Sequence, residues 1–251
     1  MPVLCFASSE TGQAFLPNSE IGLEVGDELL VTLHNQDDSY HGFEVLGLGG
    51  AGSSVAPGSS ETFQFLFPEA GCWLYRDPVN LPINQGLGLT GPIVVIDQNA
   101  DHDAEFLWHL NEFSEGWLTH HEAGEAIDTA IYLPNYFTVN GRSGADTMDD
   151  PRALLAGQVG DNLLIHVVNG GLRLHSLHFH GYHVNLVWRD GAPLSEPWVK
   201  DTIAIPAGGT ALFQLTPHQS GLFPIHDHVV QSVTANGVYP LGMIVFADIQ
   251  P

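Results

Sequence analysis

Two stretches decide how this chain is read: Arg173-Leu-His175-Ser-Leu-His178-Phe-His180-Gly-Tyr-His183, and Phe223-Pro-Ile-His226-Asp-His228. Eight of the 14 histidines fall between His166 and His228. Each stretch holds an H-x-H pair, His178 with His180 and His226 with His228. Residues i and i+2 of a β-strand point to the same face, so each pair presents two imidazoles side by side. If the two strands lie near one another, four imidazoles converge. That donor set suits a borderline metal such as copper or zinc, and not calcium or magnesium. A single H-x-H is usually an ordinary polar strand face. Two pairs set among Leu177, Phe179, Phe223 and Ile225 are different, because clustered buried imidazoles without a metal are costly to satisfy. The spacing therefore predicts a metal site at His178, His180, His226 and His228.

Around these stretches the chain reads as all-β. Its 251 residues include 28 glycines and 16 prolines, which punctuate many short Val, Ile, Phe and Leu runs. Lysine and arginine total 6 against 29 acidic residues, a formal charge of -23. That balance argues against nucleic acid and anionic membrane surfaces as partners. No apolar run is long enough to span a membrane. The N-terminal stretch lacks the basic region of a signal peptide. The two cysteines, Cys5 and Cys72, are too few for a disulfide framework; spacing leaves open whether they bridge.

Taken in order, the chain repeats itself. Ile21 to His34 gives a strand, a Gly-Asp turn and a second strand. His41 to Leu46 gives another, followed by a glycine-rich connection over 47–52. Val55 to Phe67 is a Pro-Gly turn feeding an alternating strand; Cys72 to Arg76 and Leu89 to Asp97 complete the set. The order then recurs. Val159-Gly-Asp161 echoes Val25-Gly-Asp27, and His175 to Trp188 takes the place of the strand at His41. Ile205 to Phe213 matches Val55 to Phe65, Ser220 to Ile225 matches Ala70 to Tyr75, and Leu241 to Phe246 matches Thr90 to Ile96. Such a repeat implies two copies of one β-sandwich, an N-terminal domain over 1–98 and a C-terminal domain over 99–251 that carries the histidines. Residues 116–127 are expected as a loop or short helix.

The chain resembles the cupredoxin domains of multicopper oxidases, a family that includes two-domain laccases and copper nitrite reductases. His175-Ser-Leu-His178-Phe-His180-Gly181 is similar to the family's H-P-x-H-x-H-G, and His226-Asp227-His228 to its H-C-H. Pro134 to Arg142 resembles a stretch near the start of such domains. The resemblance implies Greek-key sandwiches and copper, one or two ions per chain, with zinc less favoured. By the same match His178 stands at the type 2 position and His180, His226 and His228 at type 3 positions. His175 stands where the family has a histidine of the blue copper. Asp227 replaces the cysteine whose thiolate a blue site requires, so no type 1 copper is expected; Met243 falls near the axial position. The first domain retains His41, with Ser39 where another histidine would stand.

Geometry adds to this. His175 is three residues from His178 and faces the other way, as Asp227 does between His226 and His228. The two are expected to meet as a charge-assisted hydrogen bond, a second copper or iron site being the alternative. His183 is either an extra ligand or a donor behind the site. Tyr182 reads as a packed aromatic or a group close to the metal. Arg76 and Asp77 either pair or approach the site. His34, His102, His109, His120, His121, His166 and His218 have no partner at ligand spacing. The function expected is a copper-dependent oxidase acting on O2 and a small-molecule substrate at the histidines themselves. The alternatives are a copper storage or delivery protein, and a structural subunit sharing a site across an oligomer. By resemblance a homotrimer and a periplasmic or secreted setting are expected.

Overall fold

The computed structural model describes residues 3–8, 16, 18–48 and 54–251. Most of the expected glycine-rich connection and much of the N-terminal stretch lie outside them. Seventeen strands follow in chain order: β1 Ile21–Glu24, β2 Glu28–His34, β3 Glu44–Val45, β4 Ser60–Leu66, β5 Gly71–Arg76, β6 Thr90–Ile96, β7 Ala104–Phe113, β8 Tyr136–Val139, β9 Leu155–Gln158, β10 Leu163–Asn169, β11 His175–Phe179, β12 Val184–Arg189, β13 Ala192–Lys200, β14 Thr202–Ile205, β15 Thr210–Leu215, β16 Gly221–Asp227 and β17 Ile244–Gln250. The segment expected as a loop or short helix forms α-helix Glu115–Glu122, and His120 and His121 lie exposed in its last turn.

The N-terminal strands build a sheet ordered β1-β6-β5-β3 and a β2-β4 pair. The C-terminal strands build a six-stranded sheet, β13-β12-β15-β10-β7-β8, and a five-stranded sheet, β14-β11-β16-β17-β9. The fold is all-β, two cupredoxin-like sandwiches. Period-2 patterning places the cores: β4 buries Phe63 and Phe65 and exposes Gln64 between them. Between the two C-terminal sheets lie Trp108, Phe179, Phe213 and Leu186.

The six-stranded sheet is apolar on both faces. On β7, Phe106, Trp108 and Leu110 enter the C-terminal core, while Leu107 joins Trp73, Leu74 and Ile93 in the N-terminal core, as do Val168 and Trp188. One continuous seam results. The Cys72 thiol donates across it to the carbonyl of Ala211 at 3.2 Å. Both cysteines are free thiols. Burial pushes Cys5 up to about 11 and Cys72 up to about 12, so neither is a reactive thiolate.

β13 was not foreseen. It carries Pro193 and Pro197, which read as breakers, yet it lies at the sheet edge, where a missing N–H costs no ladder bond.

The sequence repeat is matched in hydrogen bonds. Asn35 Nδ2 donates to the carbonyls of Ser39 (2.7 Å) and Val55 (2.9 Å). Asn169 Nδ2 donates to those of Arg173 (2.8 Å) and Ile205 (3.0 Å). His41 bridges Val55 as His175 pairs with Ile205. One asparagine in each half thus closes the same loop and sets the approach to the same histidine.

Candidate metal centre

β11 and β16 run antiparallel with His178 directly opposite His226. Alternation then puts His180 and His228, each one residue beyond its strand, on the same outward face. The four rings cluster. Centroids lie 4.8 Å apart for His178–His180, 5.8 Å for His178–His226, 5.4 Å for His178–His228 and 5.0 Å for His180–His226. His180 and His228 are exposed, and His178 and His226 half-buried.

The ring nitrogens are sorted by their partners. His226 Nδ1 lies 2.9 Å from the carbonyl oxygen of Asp227, which only accepts, so this nitrogen carries the proton and Nε2 keeps its lone pair. His178 Nδ1 is hydrogen-bonded to the Thr202 hydroxyl at 2.8 Å. His226 Nε2 faces His180 Nε2 at 3.0 Å, so a proton or a cation must mediate between them. Holding Nδ1 by the protein and leaving Nε2 free is how metal-ligating imidazoles are oriented. Slight burial, followed by the neighbouring His226, His178 and His228, lowers the pKa of His180, which keeps it neutral. The donor chemistry fits copper or zinc. Even so, among the described residues no group of three histidine, cysteine or carboxylate side chains is already disposed to hold a metal ion. The cluster is a set of donors open on one side.

Behind this face, His175 and Asp227 do meet. His175 is 1% exposed, and its Nδ1 donates to Asp227 Oδ2 at 2.7 Å. Its Nε2 donates to Glu112 Oε2 at 2.9 Å. Asp227 Oδ1 accepts from the N–H of Ser176 (2.9 Å) and of Val229 (3.0 Å). Burial disfavours the imidazolium, but the hydrogen bonds and charges of Asp227 and Glu112 outweigh it and push His175 up to about 9. The same balance, burial against the bond to His175 and the two backbone donors, lowers Asp227.

The first sandwich repeats the arrangement. His41 Nδ1 donates to Asp77 Oδ2 (2.6 Å) and Nε2 to Asp37 Oδ2 (2.8 Å), while Asp77 Oδ1 accepts from Gly42 N (2.9 Å) and Val79 N (2.8 Å). In both halves a carboxylate–imidazole–carboxylate clamp joins the loop after the asparagine to the end of the strand that starts at Gly71 or Gly221. His41 has both nitrogens engaged by carboxylates. Arg76 and Asp77 do not pair: Arg76 bonds Glu44 at 2.6 Å and Gln85 at 2.9 Å, pointing away from Asp77 as alternate strand residues must. Asp77→Ala is expected to destabilise the protein by about 3–5 kcal/mol, since it strands His41 and two backbone donors in a buried site; urea unfolding measures it.

Other candidates fall out of the cluster. His183 is exposed, and among the described residues no ring contact joins it to the four. Tyr182 is a packed aromatic whose hydroxyl donates to Gln219 O at 2.7 Å, with its ring on Phe223 and His218. The Met243 side chain is buried in the C-terminal core, and its carbonyl accepts from Asp227 N at 3.2 Å. Sequence reasoning missed Glu112, Thr202, Asp37 and the partner of Asp77. For Asp77 the signal was present: aligning Ala70–Tyr75 with Ser220–Ile225 sets Asp77 on Asp227.

A sequence profile of the multicopper oxidase family matches residues 128–239, which include all four clustered histidines. This part of the chain is similar to multicopper oxidases. The copper-containing nitrite reductase of Neisseria meningitidis serogroup B is 27% identical over 231 residues, 86% of this chain and 58% of its own length. The chain thus spans under two thirds of that relative. Among solved structures, the blue copper oxidase of Nitrosomonas europaea superposes with a TM-score of 0.79 at 23% identity, covering 93% of this chain and 77% of its own. The copper nitrite reductase of the same organism gives 0.74 at 21%, covering 94% and 84%. Both similarities show the cupredoxin fold.

Proposed function

We propose that this chain binds copper through His178, His180, His226 and His228 and is an oxidoreductase acting on O2 and a small-molecule substrate at that site. The observation that carries the reading is the clustering of four imidazoles with His226 Nε2 and His180 Nε2 at 3.0 Å and the far nitrogens of His178 and His226 held by the protein. Copper bound there supplies one-electron redox chemistry and a Lewis-acid centre. The chain's own part is to orient the rings: Thr202 positions His178, and the Asp227 carbonyl fixes the tautomer of His226. The buried clamp behind β16 locks the strand that carries His226 and His228. With His175 bound to two carboxylates, no blue copper relays electrons from a distance, so substrate must reach the exposed histidines directly.

The two domains are proposed to divide at 98/99, the first serving as a scaffold. The cluster is open on one side, and the segment that follows His228 exposes apolar side chains, Val230 at 80% and Tyr239 at 71%. These features favour completion of the site by another copy, a homotrimer by family likeness. Two cavities, of about 270 and 300 Å³, are lined by none of the four clustered histidines. In size-exclusion chromatography with light scattering, the chain is expected at three times 27.1 kDa. A monomer with full copper loading would rule out the shared site. The openness of the cluster also favours a second reading as a copper storage or delivery protein in a periplasmic or secreted setting. Turnover of O2 by the copper-loaded protein separates the two.

A further inference from the structure

Three side chains that show no ligand spacing in the sequence come together where the chain enters the second sandwich. His102 lies two residues before β7, Glu105 is the strand's second residue, and His166 lies on β10, which pairs in parallel with β7 so that Leu164 stands beside Glu105 and His166 beside Leu107. His102 Nε2 is 3.2 Å and His166 Nε2 3.9 Å from the same carboxylate oxygen, Glu105 Oε1. The His166 side chain is 2% exposed, yet neither ring nitrogen has a hydrogen-bond partner; His102 Nδ1 is also buried and unpartnered. Buried imidazole nitrogens left this way are rare, because each gives up its hydration for nothing.

We propose that His102, Glu105 and His166 bind a borderline divalent transition metal ion of the zinc class, at a site separate from the four clustered histidines. Two imidazoles and one carboxylate are a donor set for such an ion. Metal–ligand bonds of about 2.0–2.2 Å in tetrahedral array put neighbouring donors about 3.4 Å apart, between the two separations seen. The trio is not closed as it stands; His166 must move toward Glu105 by about half an ångström. Arg152, whose charge also acts on Glu105, directs its guanidinium to Glu20 at 2.7 Å instead of covering the carboxylate. Burial raises the pKa of Glu105, but His166, His102 and Arg152 together lower it, so the carboxylate is ionised. His102 and Glu105, 19% and 14% exposed, open the site to solvent and leave a fourth position for water. The ion would tie the connection between the sandwiches to β7 and β10, and raise thermal stability with metal concentration.

The test uses the full chain carrying His178→Ala and His226→Ala, which removes the other cluster. Equilibrium dialysis with Zn²⁺ is expected to give one ion per chain, and Co²⁺ the intense visible bands of four-coordinate geometry. Glu105→Gln added to this background is expected to lower zinc affinity more than tenfold, and so is His102→Ala, whose partly exposed position spares the fold. Absence of stoichiometric zinc, or affinity unchanged in His102→Ala, would overturn the proposal and leave His166 packed against Glu105 with no metal role.

Discussion

Replacing Asp227 with alanine is expected to lower the free energy of unfolding by about 3–5 kcal/mol, the usual cost of removing one member of a buried ion pair. The carboxylate holds His175 Nδ1 and two backbone N–H groups, all within 2.7–3.0 Å. Its loss leaves those donors unsatisfied in a site from which water is excluded. The charge matters as well as the bonds. His175 is raised from 6.5 to about 9, so its contribution is fully present below 6.5 and is lost as pH rises through about 9. Asp227 is lowered from 3.8, so its contribution is present above that value and is lost as pH falls through the folded-state value. Melting temperature is therefore expected to decline in the parent between pH 7 and 10, and to decline less in Asp227→Ala. A loss under 1 kcal/mol with an unchanged pH profile would mean that the clamp contributes no net stability.

The second large effect falls on metal binding. His226→Ala is expected to weaken copper binding more than about 100-fold, since groups that only orient a ligand are already worth 10–100-fold. The same change should alter stability by less than about 1 kcal/mol, because a half-exposed polar side chain on a strand face carries little of the packing. Isothermal titration on folded variant and parent separates the two quantities. A threefold change or less would place copper elsewhere.

Much of this was legible because a strand has period 2. The H-x-H pairs announced which imidazoles share a face, and His175 and Asp227 could be assigned to the opposite face by counting. Pairing of β11 with β16 was the step that counting could not supply, and Thr202 on β14 and Glu112 on β7 were invisible for the same reason. Both reach the site through sheet neighbours far away in sequence. Asp77 differs: its position in the repeat marked it, but Arg76 beside it offered a local ion pair that strand alternation forbids. The trio His102, Glu105 and His166 depends on parallel pairing of β7 with β10, which leaves no trace in residue spacing. β13 escaped because its prolines and exposed residues suit an edge strand as well as a loop.

The central claim is that the four outward histidines hold copper. Metal analysis with electron paramagnetic resonance on copper-loaded protein, beside the His178→Ala, His226→Ala variant, tests it most directly. One copper per chain with a type 2 signal, or two with little signal from a coupled pair, is predicted for the parent, with neither in the variant. Copper at equal stoichiometry in both proteins, or in neither, would contradict the account.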